Sequence, residues 1–167
     1  YHTYYEKYVH YSHIPQFISK PIVRLYSRYY LDKCNLIITP SRKMADVIKS
    51  YGVKNKIVCL PTGTGNMKSY SREEIHEFKR KYQRTPHTKI LLYVGRIAQE
   101  KNLELIIKSV FNLINEQADI VLLLVGDGPR KKHLNKFVRF LGKEDHIIFT
   151  GYIPYEEIGL YLSLIHI

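Results

Sequence analysis

Short runs of β-branched and aliphatic residues alternate along the chain with segments whose apolar positions recur every three to four residues. That alternation predicts βαβ units, in which a parallel sheet carries helices on its faces. Strands are predicted at 35–39, 56–60, 89–94, 120–125 and 146–150. The segment 41–51 sets Met44, Val47, Ile48 and Tyr51 on one helical stripe. It opens on Ser41, suited to capping the first free N–H groups, and ends at Gly52, suited to the left-handed position after a helix. Segments 100–117 and 129–141 also read as helices, the second with Pro129 at its first position, where a missing N–H costs nothing.

Residues 61–87 interrupt this rhythm. Pro61-Thr62-Gly63-Thr64-Gly65-Asn66 is turn chemistry, 71–82 is a charged helix, and Thr85-Pro86-His87-Thr88 breaks the chain again. The expected organisation is one α/β unit over 1–61, a linker region over 62–87 and a second α/β unit over 88–161. Each unit is shorter than an ordinary doubly wound domain, so the chain reads as a piece of a larger protein. Its last six residues, Leu162-Ser163-Leu164-Ile165-His166-Ile167, coincide with one reading frame of a transposase-end sequencing adapter and are expected to be a non-native tail; an ordinary apolar helix end is the alternative.

Composition narrows the classes. With 45% hydrophobic and 25% charged residues, the chain can bury a core and is not a disordered polymer. The longest aliphatic run, 120–125, falls far short of the ~20 residues that cross a bilayer, and no basic leader precedes an apolar stretch. Two cysteines, Cys34 and Cys59, make no disulfide framework and no C-x-x-C site, so a reducing cytoplasm is expected. The formal net charge of +11 attracts anionic partners, and it is unevenly spread: residues 1–60 hold 10 basic and 3 acidic side chains, residues 88–167 hold 10 and 9. The basic first third also carries Tyr1, Tyr4, Tyr5, Tyr8, Tyr11, Tyr26, Tyr29 and Tyr30. Interleaved basic and aromatic residues suit either a lipid interface or nucleic acid, and composition alone does not separate the two.

Chemistry is expected where strands end. In open α/β sheets ligands bind beyond the carboxyl ends of the strands, where the next helix offers free N–H groups. After the strand 89–94 comes Gly95-Arg96-Ile97-Ala98-Gln99-Glu100-Lys101. A planar guanidinium and a point-charge ammonium, five residues apart across such a turn, are able to converge on the two phosphates of a nucleotide diphosphate. Solvated surface charge is the alternative for both. After 120–125 comes Gly126-Asp127-Gly128-Pro129, whose glycines permit positive φ and close approach of a ligand or of a neighbouring loop. Asp127 suits turn geometry better than phosphate binding. After 146–150, Tyr152 and Ile153 either flank a nucleobase or belong to the core. His2, His10 and His13 lack the matched ligands of a metal site. There is no P-loop, G-x-G-x-x-G or G-x-S-x-G, which argues against NTPase, ordinary dehydrogenase and α/β-hydrolase readings.

Taken in order, His2-Thr3-Tyr4-Tyr5-Glu6, Pro40-Ser41, Tyr51-Gly52-Val53, Pro61-Thr62-Gly63, Val94-Gly95-Arg96 through Glu100-Lys101-Asn102, Val125-Gly126-Asp127-Gly128-Pro129 and Phe149-Thr150-Gly151-Tyr152 resemble the GT4-type retaining glycosyltransferases of the GT-B fold. The bacterial diacylglycerol glucosyltransferases look nearest. The resemblance covers residues 2 to about 161 and implies parts of two Rossmann-like domains, each a parallel sheet flanked by helices, with the acceptor side first and the donor side second. It implies an enzyme that moves a hexose from a nucleotide sugar such as UDP-glucose to a membrane lipid such as diacylglycerol. Carried onto matching positions, Arg96 and Lys101 grip the donor diphosphate in place of a metal ion, so neither metal nor further cofactor is expected. By the same carry-over His2 faces the transferred sugar, Gly95 and Gly126 shape the donor loops, and Tyr152 and Ile153 lie near the base.

Two departures bear on activity. Thr64 and Gly65 follow Pro-Thr-Gly where the family has an aliphatic and an acidic residue, and the paired-glutamate segment would come after this chain stops. The 167 residues alone are therefore expected to be inactive. The leading reading is a piece of a cytoplasmic enzyme held at the inner face of the cell membrane, with 17–30 meeting anionic lipid; that same segment also reads as a core helix with a solvated face. A glycosyltransferase acting on another glycan or a soluble acceptor, and a basic nucleic-acid-binding module without any recognised motif, are the alternatives.

Overall fold

The structure, a computed structural model, describes residues 1–7, 15–63, 65 and 67–165. It divides into two compact units, Tyr1–Gly65 and Asn66–Ile167.

In the first unit α1 (Gln16–Leu31) leads into β1 (Ile37–Thr39), α2 (Arg42–Ser50) and β2 (Ile57–Cys59). The two strands pair in parallel, Ile37 opposite Ile57. Ser41 caps α2 as expected, its hydroxyl accepting from the Met44 N–H at 3.3 Å, and Gly52 follows with φ of 83°. The predicted stripe faces inward: Ile48 and Tyr51 are buried with Leu31, Ile37 and Val53, while Met44 and Val47 pack alongside. Asn55 ties the end of α1 to this core, its side-chain amide donating to the carbonyls of Leu31, Asp32 and Cys34. Carbonyls at a helix end have no partner inside the helix, so one amide here does the work of a cap. On α1 the buried positions Ser19, Ser27 and Leu31 repeat every four or eight residues, a narrow stripe. Phe17, Ile22, Leu25, Tyr26, Tyr29 and Tyr30 are exposed. A short turn, Tyr5–Lys7, precedes α1, with Glu6 buried and ion-paired to Arg24.

The second unit holds α3 (Arg72–Arg80), β3 (Lys89–Val94), α4 (Leu103–Asn115), β4 (Ile120–Val125), α5 (Lys131–Phe140), β5 (Ile147–Gly151) and α6 (Tyr155–Leu162). Its sheet is parallel in the order β3-β4-β5. All six residues of the central strand β4 are buried, which is why it reads as an unbroken aliphatic run: a parallel strand covered on both faces has no polar side to alternate with. Ile120, Leu122 and Leu124 pack with Ile107 and Val110 of α4 and with Leu134 and Val138 of α5. Val121, Leu123 and Val125 face Tyr161 of α6, Leu164, and Phe78 and Tyr82 at the end of α3.

Three expectations change. Residues 66–87, expected as a linker, belong to the second unit, because Phe78 meets Tyr161 edge-on at 4.8 Å and so fastens α3 to the sheet face. Its charge belongs to the outward side, and a capping box between Ser71 and Glu74 closes its start. The helix expected from 100 begins instead at Leu103, because Gln99–Lys101 forms a 3₁₀ turn and Asn102 takes the left-handed conformation, φ 49°. Pro129 is not the first helical residue: α5 starts at Lys131, whose N–H still bonds the Gly128 carbonyl in the preceding turn. The helix α6 has no counterpart among the expected elements, and among the described residues 162–165 Leu164 is buried in the core beneath it.

Candidate functional site

Because β3, β4 and β5 run parallel, their carboxyl ends share one edge of the sheet, and three loops leave from it. The first two are stitched together by backbone bonds. Gly95 N–H donates to Val125 O at 2.9 Å, Ile97 N–H to Asp127 O at 2.9 Å, and Arg130 N–H to Ile97 O at 3.1 Å. Gly126 N–H reaches the third loop at Gly151 O, 2.9 Å. This lacing brings the loops closer than side chains allow. A Cβ on Gly126, whose φ is 135°, would stand 2.0 Å from Gly95 O, and one on Gly128 would stand 2.3 Å from Ile97 O. The glycines of Gly126-Asp127-Gly128 thus serve the approach of the neighbouring loop.

Arg96 sits between two fixed points. Ile97 and Ala98 are buried and anchor the loop in the core, while Arg96 itself is exposed. On its other side the Tyr93 hydroxyl donates to the Arg96 carbonyl at 2.8 Å. A cavity of about 290 Å³ opens over this edge. Its walls include Gly95, Arg96, Gly126, Tyr152 and Ile153, so five of the donor-side positions expected from the sequence meet at one place, joined by Asp127 and by Ile158 of α6. Tyr152 is three-quarters exposed and Ile153 packs against the core, so the two flank the opening differently.

The remaining expected residues lie elsewhere. Lys101 is exposed at the end of the 3₁₀ turn and does not line this cavity. His2 is exposed in the first unit. His10 and His13 fall outside the described residues. Among the described residues no group of three or more His, Cys, Asp or Glu side chains is arranged to hold a metal ion, and no helix is long and apolar enough to cross a membrane.

Asp127 lines the cavity, yet its charge is spent locally. One carboxylate oxygen accepts from Gly128 N–H at 2.7 Å and the other from Lys131 Nζ at 2.8 Å. Those bonds, the lysine's first, hold its carboxyl below the usual range. The negative charge thus braces the turn and is offset by Lys131. Behind the loops, Glu104 at the start of α4 pairs with Lys108 at 3.0 Å and Arg130 at 3.5 Å, tying α4 to the β4–α5 turn. Tyr93 and Ile158 are the wall and brace residues that sequence reasoning passed over. Tyr93 could be read only as a strand residue until the loop folded back over it, and Ile158 depends on a helix the pattern did not announce.

The sequence profile described as "Glycosyl transferases group 1" matches residues 74–167, and that described as "Glycosyltransferase Family 4" matches residues 1–64. The alpha-monoglucosyldiacylglycerol synthase of Streptococcus pneumoniae is 32% identical over 165 residues, covering 96% of this chain and 37% of that protein. The enzyme of the same name from Acholeplasma laidlawii is 24% identical over 173 residues, covering 98% of this chain and 43% of that one. The chain therefore spans well under half the length of these relatives. Among solved structures, Anabaena HepE in complex with UDP and glucose superposes with a TM-score of 0.63 at 16% identity, covering 78% of this chain and 36% of that chain. At that identity the likeness establishes the fold, which is that of GT-B glycosyltransferases.

Proposed function

The chain belongs to the group 1 glycosyltransferase family, and from that premise we propose that it forms part of an enzyme transferring glucose from UDP-glucose to diacylglycerol at a membrane surface. The transferase class follows from the family; the donor and the acceptor are our reading. The names of the Streptococcus and Acholeplasma relatives support a glucosyl group and a diacylglycerol, and the UDP and glucose held by Anabaena HepE support the donor. The observation that carries the proposal is the cavity at the carboxyl edge of the second sheet, where Gly95, Arg96, Gly126, Tyr152 and Ile153 converge.

In this mechanism the laced glycine loops fix the edge of the cavity, and the exposed Arg96 presents a planar fork to the donor's diphosphate there. Negative charge accumulates on that diphosphate as the bond to the sugar breaks. The Arg96 guanidinium stabilises the departing nucleotide without a metal-dependent step, and Lys101, exposed on the 3₁₀ turn outside the cavity walls, adds its positive charge toward the same diphosphate. Tyr152 and Ile153 flank the base. The basic, aromatic first third places the enzyme on anionic lipid at the cytoplasmic face, with the exposed apolar residues of α1 entering the interface.

The test uses the full-length enzyme carrying these residues. Arg96→Ala and Lys101→Ala should each lower kcat/KM for glucose transfer from UDP-glucose, Arg96→Ala by about a hundredfold, as loss of a donor to a developing anion does. Kinetics unchanged in both variants would remove the diphosphate role. The 167-residue chain alone should transfer no measurable sugar.

A further inference from the structure

A cation that grips a diphosphate is useful only if its backbone is held where the phosphates arrive. The peptide unit joining Arg96 to Ile97 is held at both ends. Its N–H, on Ile97, donates to Asp127 O at 2.9 Å. Its C=O, on Arg96, accepts from the Tyr93 hydroxyl at 2.8 Å. The first bond belongs to the lacing between loops, which the glycines make possible. The second comes from a side chain three residues earlier on β3, and it is of a different kind: a single removable oxygen.

The surroundings of Tyr93 suit it to this task. Its ring packs against the core that contains Ile97, Leu103 and Ile107, so the ring has little freedom. The hydroxyl lies below Gly95, close enough that a Cβ on Gly95 would stand 3.1 Å from it. Gly95 therefore leaves the space through which the tyrosine reaches the next carbonyl. A phenol carries its proton at neutral pH and is free to donate it, and burial pushes the pKa of this one further up. Phenylalanine would fill the same core position and leave the carbonyl end of the peptide untethered.

We infer that Tyr93 is a positioning residue for donor binding, its hydroxyl orienting the Arg96 backbone so that the guanidinium meets the diphosphate. The inference rests on the reading of Arg96 given above. Tyr93 touches no donor atom in this role; it acts through Arg96.

The experiment measures the dissociation constant of UDP by titration calorimetry for the full-length protein and for Tyr93→Phe, Arg96→Ala and the double variant, with melting temperatures for all four. Arg96→Ala is expected to weaken UDP binding, and Tyr93→Phe to weaken it about three- to tenfold, the effect of one lost hydrogen bond. The double variant should bind no more weakly than Arg96→Ala, because the tyrosine has nothing left to position. Tyr93→Phe should melt close to wild type, since its ring remains. Two results overturn the inference while leaving Arg96 in place: unchanged UDP binding by Tyr93→Phe, or losses that add fully in the double variant. Unchanged binding by Arg96→Ala overturns the diphosphate reading itself, and the positioning role falls with it.

Discussion

Replacing Gly126 with alanine probes the laced loops at their tightest point. The new Cβ would lie 2.0 Å from the Gly95 carbonyl oxygen and 3.0 Å from its carbon. Carbon and oxygen in contact settle at about 3.3 Å or more, so the Gly95 loop must retreat by about 1 Å. That retreat pulls on the Gly95–Val125 and Ile97–Asp127 bonds, both 2.9 Å, and losing one of them costs about 1 kcal/mol. Holding alanine at φ 135° adds a further penalty of about 1–3 kcal/mol. A destabilisation of about 3 kcal/mol is therefore expected. Gly142→Ala is the control: its φ is 60° and nothing lies within 4 Å of its Cβ, so only a left-handed penalty of about 1–2 kcal/mol remains. Urea denaturation followed by circular dichroism gives the two stabilities, and UDP titration reads the cavity. Gly126→Ala should be the less stable variant and bind UDP more weakly, whereas Gly142→Ala should bind as wild type. Equal unfolding midpoints together with wild-type UDP affinity for Gly126→Ala would refute the close-packed reading of this edge.

Further tests reach other parts of the molecule. Asp119 accepts from the hydroxyls of Thr85 and Thr88, and the bond from Thr85 leads the causes that hold its carboxyl below the usual range. A depressed carboxyl stabilises the fold above its unfolded pKa of about 3.9 and loses that contribution as pH falls through the folded value. The melting-temperature gap between wild type and Asp119→Asn should thus persist from neutral pH to about pH 5 and close below that range; a gap unchanged at pH 3 would contradict the assignment. For membrane docking, the full-length protein should co-sediment with vesicles containing anionic lipid. The pair Leu25→Glu and Tyr29→Glu, both exposed on α1, should reduce that binding by about tenfold or more, given the apolar surface each places in the interface. Sedimentation indifferent to anionic lipid content or to these changes would argue against α1 as the contact.

The legible parts of this chain are those where a local rule and the tertiary environment agree. The central strand β4 occupies the expected position because a strand covered on both faces must be apolar throughout, and β3 beside it, only half-buried, shows itself by the aliphatic run Ile90–Leu92. Ser41 and Gly52 bracket α2 because capping acts within one turn of the chain. Where the rule was ambiguous the neighbours chose. A charged segment such as 71–82 is a linker or a covering helix according to whether its few apolar residues find a partner, and Phe78 finds Tyr161, 83 positions on in the sequence. The left-handed turn at Asn102 displaced the start of α4 although the periodic pattern continues across it.

The candidate site divides in the same way. The order of the motifs carries the resemblance to the transferase family, and residue type picks out Arg96, Lys101 and the glycines after two strands as candidates, because residue type carries charge and backbone freedom with it. Which of these residues meet depends on distances between loops that are remote in sequence. Parallel strand order sets Gly95, Gly126 and Ile153 around one cavity and leaves Lys101 outside its walls. The same order turns the glycines from possible ligand contacts into the clearance between two backbones. The tyrosine that braces Arg96 was invisible for the same reason: a hydrogen bond from side chain to carbonyl is specified by where the turn carries the chain, and only the folded sheet edge decides that.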